Sequence, residues 1–235
     1  MNEHLSRQFD TELDEIRARV TRMGGMVEEQ VRAAMSAFAD GNSEPLEMII
    51  ARDAGVDEME MSIDAACMNV IARRQPTAVD LRMVMAVGKV VTDLERIGDE
   101  AKKIARATRK ILERGPAAHL AQVLDVKHTG EQVAAMLNEV LDAFVRLDVE
   151  AAARTVRRDT EIDQHFEAIA RQLITYMMED PRTISNALDI VFIAKSLERI
   201  GDHCTNIAED VVYIAKGRDV RHIGIEGLER EVQRG

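Results

Sequence analysis

Leu94-Glu95-Arg96-Ile97-Gly98-Asp99 returns letter for letter as Leu197-Glu198-Arg199-Ile200-Gly201-Asp202, 103 positions later in a chain of 235 residues. A self-match at a spacing near half the chain length is the mark of an internal duplication. In each copy two carboxylates stand at i and i+4, one turn apart on one face of a helix. The sequence therefore predicts two like units, each presenting an acid pair.

The composition around the repeats favours helix, with 3% aromatic residues, no Trp and four Pro that punctuate rather than interrupt. A formal net charge of −11 argues against nucleic-acid binding, which needs a basic surface to neutralise phosphates. The same charge disfavours direct contact with anionic lipid. No apolar run long enough to span a bilayer occurs, and Met1 is followed by the polar Asn2-Glu3-His4. The chain is expected in the cytoplasm, meeting a membrane only through partners. Cys67 and Cys204 fall in helical apolar patterns and are expected as buried thiols rather than a disulfide framework.

Apolar spacing and turn residues outline six long helices. The first starts near Ser6 or Thr11 and carries Leu13, Ile16, Val20, Met23, Val27, Val31, Met35 and Phe38 to a stop at Asp40-Gly41-Asn42. Gly24-Gly25 in its middle predicts a close helix contact, since each glycine costs about 1 kcal/mol against Ala. The second helix begins around Pro45 and ends at Arg74, before Gln75-Pro76-Thr77; the third runs from about Ala78 to Leu112, before Gly115-Pro116. The fourth is expected from about Ala118 to Leu147, the fifth from about Glu150 to Met178, and the sixth ends at Lys216-Gly217. The expected fold is all-α: two tandem antiparallel three-helix bundles, residues 1–115 and 116–217, with a frayed tail at 218–235.

Drawing the hairpins reveals a second acid pair in each half. Asp53 and Asp57 lie 18 residues before Gln75 counted from Asp57, and Glu95 lies 20 after it, so both pairs reach nearly the same height in an antiparallel hairpin. Asp159 and Asp163 stand in the same relation to Glu198 and Asp202. At about 100° per residue the acids of each half fall on equal-signed edges of facing helices. Four clustered carboxylates repel one another unless a raised pKa, a basic neighbour or a cation compensates. Oxygen ligands without Cys or His suit Mg²⁺, Mn²⁺, Ca²⁺ or iron rather than a structural zinc site. Gly98 and Gly201, between the paired acids, leave room for a neighbouring backbone. The alternative at any one pair is a solvated face neutralised by Arg52, Lys102, Arg96 or Arg199.

Other chemistry finds little support. Glu95 and Glu198 are followed three residues on by glycine, not the His of ferritin-like di-iron helices. His203 projects away from the core and is expected exposed. Asn206 and Glu209 continue the acidic edge beside the second site, whereas their counterparts by the 103-residue offset are Lys103 and Arg106, so the two sites are not equivalent. No phosphate-cradling glycine loop, nucleophile elbow or Cys/His pair is visible, and no catalytic residue is named.

The doubled LERIGD, the run Arg74-Gln75-Pro76-Thr77-Ala78-Val79-Asp80-Leu81-Arg82, the turn Tyr176-Met177-Met178-Glu179-Asp180 and Met23-Gly24-Gly25-Met26-Val27-Glu28 together closely resemble the PhoU family of bacterial phosphate-signalling regulators. The resemblance spans nearly the whole chain, to about Gly224. It implies two three-helix bundles related by a pseudo-twofold, often in a homodimer. It also implies a negative regulator of phosphate uptake and of the phosphate-starvation response, the Pho regulon, acting between the ATPase subunit of the phosphate ABC transporter and the PhoR sensor kinase. In some members of the family (Asp/Glu)-x-x-x-Asp pairs bind multinuclear metal clusters. Carried over, the metal-binding residues are Asp53, Asp57, Glu95 and Asp99, and Asp159, Asp163, Glu198 and Asp202. The implied cofactors are divalent or trivalent metal ions, namely iron, manganese, magnesium or zinc. A non-enzymatic adaptor is thus the leading expectation, against a metal-dependent enzyme or metal-storage bundle using the same acids.

Overall fold

Apolar residues spaced by three and four close into helices that bury one stripe each, and the computed structural model follows that pattern for residues 2–115, 123–221 and 223–233, the portions it describes. Among the described residues there are seven α-helices and no strand: α1 (Asn2–Asp40), α2 (Leu46–Arg74), α3 (Ala78–Glu113), α4 (Val123–Arg146), α5 (Val149–Glu179), α6 (Ile184–Lys216) and α7 (Gly224–Gln233). All eight apolar positions expected to face inward on α1, from Leu13 to Phe38, are buried. A fully buried aliphatic or Met side chain is worth about 1.5–3 kcal/mol, so this stripe alone holds α1 on its neighbours.

Local chemistry sets the ends. Pro45 caps α2, where its missing N–H costs nothing, and Gln75 closes it in the left-handed region at φ 49°, its N–H donating to the Ile71 carbonyl at 3.1 Å. Asp148 caps α5 by accepting from the Glu150 and Ala151 amides, both at 3.0 Å. Pro181 opens a single 3-10 turn, Pro181–Thr183, whose Asp180 cap accepts from the Arg182 amide. Gly217 ends α6 at φ 72°. The expected start of a fourth helix at Ala118, together with Pro116 and the 115/116 boundary, touches residues 116–122, outside the described residues.

Two expectations need correction. α1 is already helical at Asn2, ahead of Ser6 and Thr11; a cap-type residue competes with helix continuation but does not enforce a stop. The tail from 218 is not simply frayed. It contains α7, which packs on α5 and buries Leu228, while Val220 is buried in the preceding loop and Arg157 pairs with Glu229 at 2.5 Å. Gly224, Gly227 and the many charges around them hid a short amphipathic helix.

α3 and α6 form the centre. They run antiparallel along each other in the broadest helix contact of the molecule, α1 and α4 pack together, and α2 and α5 flank the outside. The halves meet reciprocally. A Cβ on Gly24 of α1 would stand 2.6 Å from Leu141 of α4, and a Cβ on Gly130 of α4 would stand 2.5 Å from Met35 of α1. Gly130 follows Gly24 by 106 positions and Leu141 follows Met35 by the same 106. Such exchange of equivalent contacts is what a twofold relation between the halves requires. Gly24 thus serves the close helix contact expected of it, whereas Gly25 has open space.

Candidate functional site

Each outer hairpin brings its four acids to one place. In the first half Asp53 of α2 is buried, Glu95 and Asp99 of α3 are half-buried, and Asp57 is exposed. Lys102, one turn beyond Gly98 on α3, donates to Asp53 and stands 3.6 Å from Asp99. The Glu95 carboxyl is held above its usual range by partial burial and by the negative field of Asp99, Glu60, Asp57 and Asp53. Glu60, itself accepting from the Thr92 hydroxyl at 3.2 Å, belongs to this field although it lies outside both sequence pairs. Gly98 is where the helices close: a Cβ there would lie 3.3 Å from Gln30 Oε1 and 3.5 Å from Asp53 Oδ1.

The second half repeats the acids but not the cation. Thr205 stands where the 103-residue offset would place Lys102. Asp159 is pushed up to about 7, first by burial and then by Asp202, Asp163 and Glu198, with the Thr205 hydroxyl offsetting part of the shift. Asp163 and Asp202 are raised as well, each by burial and then by Glu198. The Oδ1 of Asp159 is buried without a hydrogen-bond partner among the described residues. It points at Gly201, where a Cβ would sit only 2.5 Å away. The nearest basic group is Lys195, which donates to Glu198 at 2.6 Å and lies over the Phe166 ring. All eight predicted acids therefore gather into two groups of four that differ at the buried aspartate: Lys102 donates to Asp53 in the first, and no cation pairs with Asp159 in the second.

An all-oxygen donor set and an orphaned buried carboxylate oxygen, for which Gly201 makes room, suit a hard cation at the second group. At the first, Lys102 already supplies the positive charge. As the side chains stand, no cluster of three or more His, Cys, Asp or Glu among the described residues is placed to hold a metal ion. Asp163 and Asp202 are exposed, so their rotamers are free to close on one.

Three neighbours were misplaced by reasoning from one bundle at a time. His203 is buried rather than exposed, and its Nδ1 lies 2.8 Å from Asp93 Oδ1 across the α3–α6 seam. Asn206 also turns to this seam, donating to Asp93 at 3.1 Å, instead of assisting the second acid group. Glu209 faces Asp210, Arg221 and Asp219, and burial pushes it up to about 7. Helix α6 has a second buried face, against the other half, which periodicity within its own bundle does not reveal. Both cysteines are buried as expected, and burial pushes Cys67 up to about 11.

A helical bundle doubled about an internal twofold, with an acid cluster in each outer hairpin, defines a duplicated all-α protein built around paired carboxylate sites. The PhoU domain model matches residues 20–108 and again 126–211, and the chain belongs to that family. It is 46% identical over 230 residues to the phosphate-specific transport system accessory protein PhoU of Escherichia coli, covering 98% of this chain and 94% of that one. The crystal structure of PhoU from Pseudomonas aeruginosa superposes with a TM-score of 0.86 at 43% identity, covering 89% of this chain and all of that one. The phosphate transport system regulatory protein PhoU from Streptococcus pneumoniae superposes at 0.83 with 31% identity, over 90% of this chain and 99% of that chain.

Proposed function

We propose that this protein is a non-enzymatic, metal-binding adaptor that restrains phosphate uptake and phosphate-starvation signalling. Its partners in this reading are the ATPase subunit of the phosphate ABC transporter and the PhoR sensor kinase, met at the cytoplasmic face by a homodimer. The observation that carries the reading is the second acid group, where Lys195 pairs with Glu198 but no cation pairs with the buried Asp159, which is raised to about 7. A bound iron, manganese, magnesium or zinc ion would complete its charge balance, held by Asp159, Asp163, Glu198 and Asp202 and tying α5 to α6.

The names of the relatives, phosphate-specific transport system accessory proteins, support the transporter side. An exposed apolar stripe of Ile184, Leu188 and Phe192, repeating every fourth residue on α6, supports docking, because such stripes mark partner surfaces. No helix among the described residues is long and apolar enough to cross a membrane, which suits an adaptor that reaches the bilayer through its partners.

Co-purification with the transporter ATPase and with the cytoplasmic region of the kinase, with and without chelator, tests the reading. Capture of both partners that weakens on chelation, and weakens equally in a Glu95/Asp99/Glu198/Asp202→Ala variant, is the expected result. Capture of neither partner under any condition sinks it. Phosphoester turnover by the metal-loaded protein would move the reading to an enzyme.

A further inference from the structure

At the C-terminal half of α3 the α3–α6 seam opens into a groove of about 340 Å³. Lys103, Arg106 and Lys110 of α3 line it together with Lys195 and Arg199 of α6. Two carboxylates, Glu100 and Asp189, also line it, so five cations against two anions leave a local balance of +3. The whole chain carries −11. A net positive concavity on an acidic protein focuses field and concentrates anions.

The carboxylates of this groove are already satisfied. Glu100 is buried and accepts from Lys103 at 2.9 Å, with Arg199 at 3.1 Å, while Asp189 pairs with Arg114 at 2.5 Å. Lys195 is turned to Glu198 at the neighbouring acid group. Arg106 and Lys110 remain, one helical turn apart and exposed, with no ion-pair or hydrogen-bond partner among the described residues. They are not the general pattern of the fold. At the twin end of the seam the 103-residue offset replaces Lys103, Arg106 and Lys110 by Asn206, Glu209 and Tyr213, and the Lys195 and Arg199 positions by Thr92 and Arg96. Among these matched positions the five cations of the groove become one cation, Arg96, and one anion, Glu209, so the positive balance belongs to one end of the seam alone.

We propose that this groove binds a phosphate-bearing anion, either inorganic phosphate or the phosphate tail of a nucleotide. A guanidinium fork beside an ammonium matches a group with several equatorial oxygens and more than one charge. The volume is that of a small-molecule site, and two unpaired cations one turn apart suit a compact dianion better than the spaced single charges of an acidic peptide. Phe192, 62% exposed on the rim, offers a ring face on which a nucleobase can stack. The inference needs neither a metal nor a protein partner, so it stands or falls separately from the adaptor reading.

Titration calorimetry of the full chain in chelator at low salt, with sodium phosphate, ATP, sodium sulfate and polyglutamate in turn, tests it. Saturable binding of phosphate or ATP that weakens at least about tenfold in Arg106→Ala/Lys110→Ala, but not in Lys89→Ala at the twin end, where Lys89 of α3 pairs with Asp210 and lies over Tyr213 of α6, is the expected result. Phe192→Ala separates the sources: loss for ATP alone identifies a nucleotide, and equal phosphate and ATP affinities unchanged by Phe192→Ala identify inorganic phosphate. No saturable binding of either, binding indifferent to the double variant, or binding of polyglutamate alone would overturn the proposal. All four substituted side chains are exposed, and circular dichroism of each variant confirms that the helices are retained.

Discussion

Lys102 of α3 donates to the buried carboxylate of Asp53 on α2, and no equivalent ammonium reaches Asp159 in the second half, where Thr205 occupies the corresponding position. Two acid groups of the same ancestry thus solve the same repulsion differently. One carries its own counter-charge, while the other keeps a proton near neutrality.

Asp53→Asn and Asp159→Asn should change metal-free stability in opposite directions. Removing the Asp53 charge leaves Lys102 with only Asp99 at 3.6 Å, and leaving one partner of a partly buried pair poorly satisfied costs about 1–3 kcal/mol. Removing Asp159 relieves a raised acid. Its folded pKa of about 7 exceeds the ordinary aspartate value of 3.8, so the folded state binds more protons and stability falls as pH rises from about 4 to about 7. Asp159→Asn should therefore stabilise at pH 8 by about 1 kcal/mol, discounted for partial solvation, and have little effect at pH 4. Thermal melts in chelator at the two pH values check both signs.

Lys102→Thr should convert the first acid group into a likeness of the second. With its internal cation gone, Asp53, Asp57, Glu95 and Asp99 would need another counter-charge. The expected outcome is an additional bound metal per chain, measured by elemental analysis after exposure to Mn²⁺ and desalting. Unchanged metal content would show that Lys102 is not what distinguishes the groups.

Glycine replacement should likewise separate the halves. A Cβ on Gly201 would sit 2.5 Å from Asp159 Oδ1, whereas on Gly98 its nearest neighbour is the end of the Gln30 side chain at 3.3 Å. Gly201→Ala is expected to cost about 1–3 kcal/mol through overpacking. Gly98→Ala should come out near neutral, since the helix propensity of Ala, about 1 kcal/mol better than Gly, offsets a small shift of Gln30. Denaturant unfolding of the two variants side by side decides it.

The α1–α4 contact predicts a rescue. Gly24→Ala should destabilise by about 1–3 kcal/mol, because its methyl meets Leu141 at 2.6 Å. Leu141→Ala in the same chain should recover part of the loss, giving a favourable coupling of about 0.5 kcal/mol or more in a double-mutant cycle. Additive losses would place the strain elsewhere.

Glu209 supplies a pH dependence away from the acid groups. Burial raises it from 4.5 to about 7, so its contribution is present below the unfolded value and is lost as pH rises through the folded one. Glu209→Gln should flatten the decline of stability between about pH 5 and pH 7, raising the melting temperature at pH 8 and not at pH 4.5. An unchanged profile would mean that the carboxyl is solvated when charged.

Hairpin length alone places the eight acids. Asp53 meets Glu95 and Asp99, and Asp159 meets Glu198 and Asp202, because an antiparallel hairpin of known length leaves the heights of its two arms no freedom. Lys102 and Thr205 differ at one offset-matched position, a signal present in the letters but overshadowed by the more distant Lys103/Asn206 and Arg106/Glu209 pairs. His203 shows the opposite case. Its ring is on the outer side of its own bundle and is buried only because α3 of the other half lies against it.

The helical class, the duplication, the inward stripe of each long helix and the grouping of the acids are legible in the letters, since each follows from periodicities of a few residues and from turn lengths. The shared α3–α6 spine, the closure of Asp93 on His203 and the meeting of five cations in one groove arise only when the halves pack. Those features depend on how two amphipathic units are rotated against each other. That rotation is selected by side-chain packing between residues about a hundred positions apart, Gly24 against Leu141 and Gly130 against Met35, and no local periodicity encodes it.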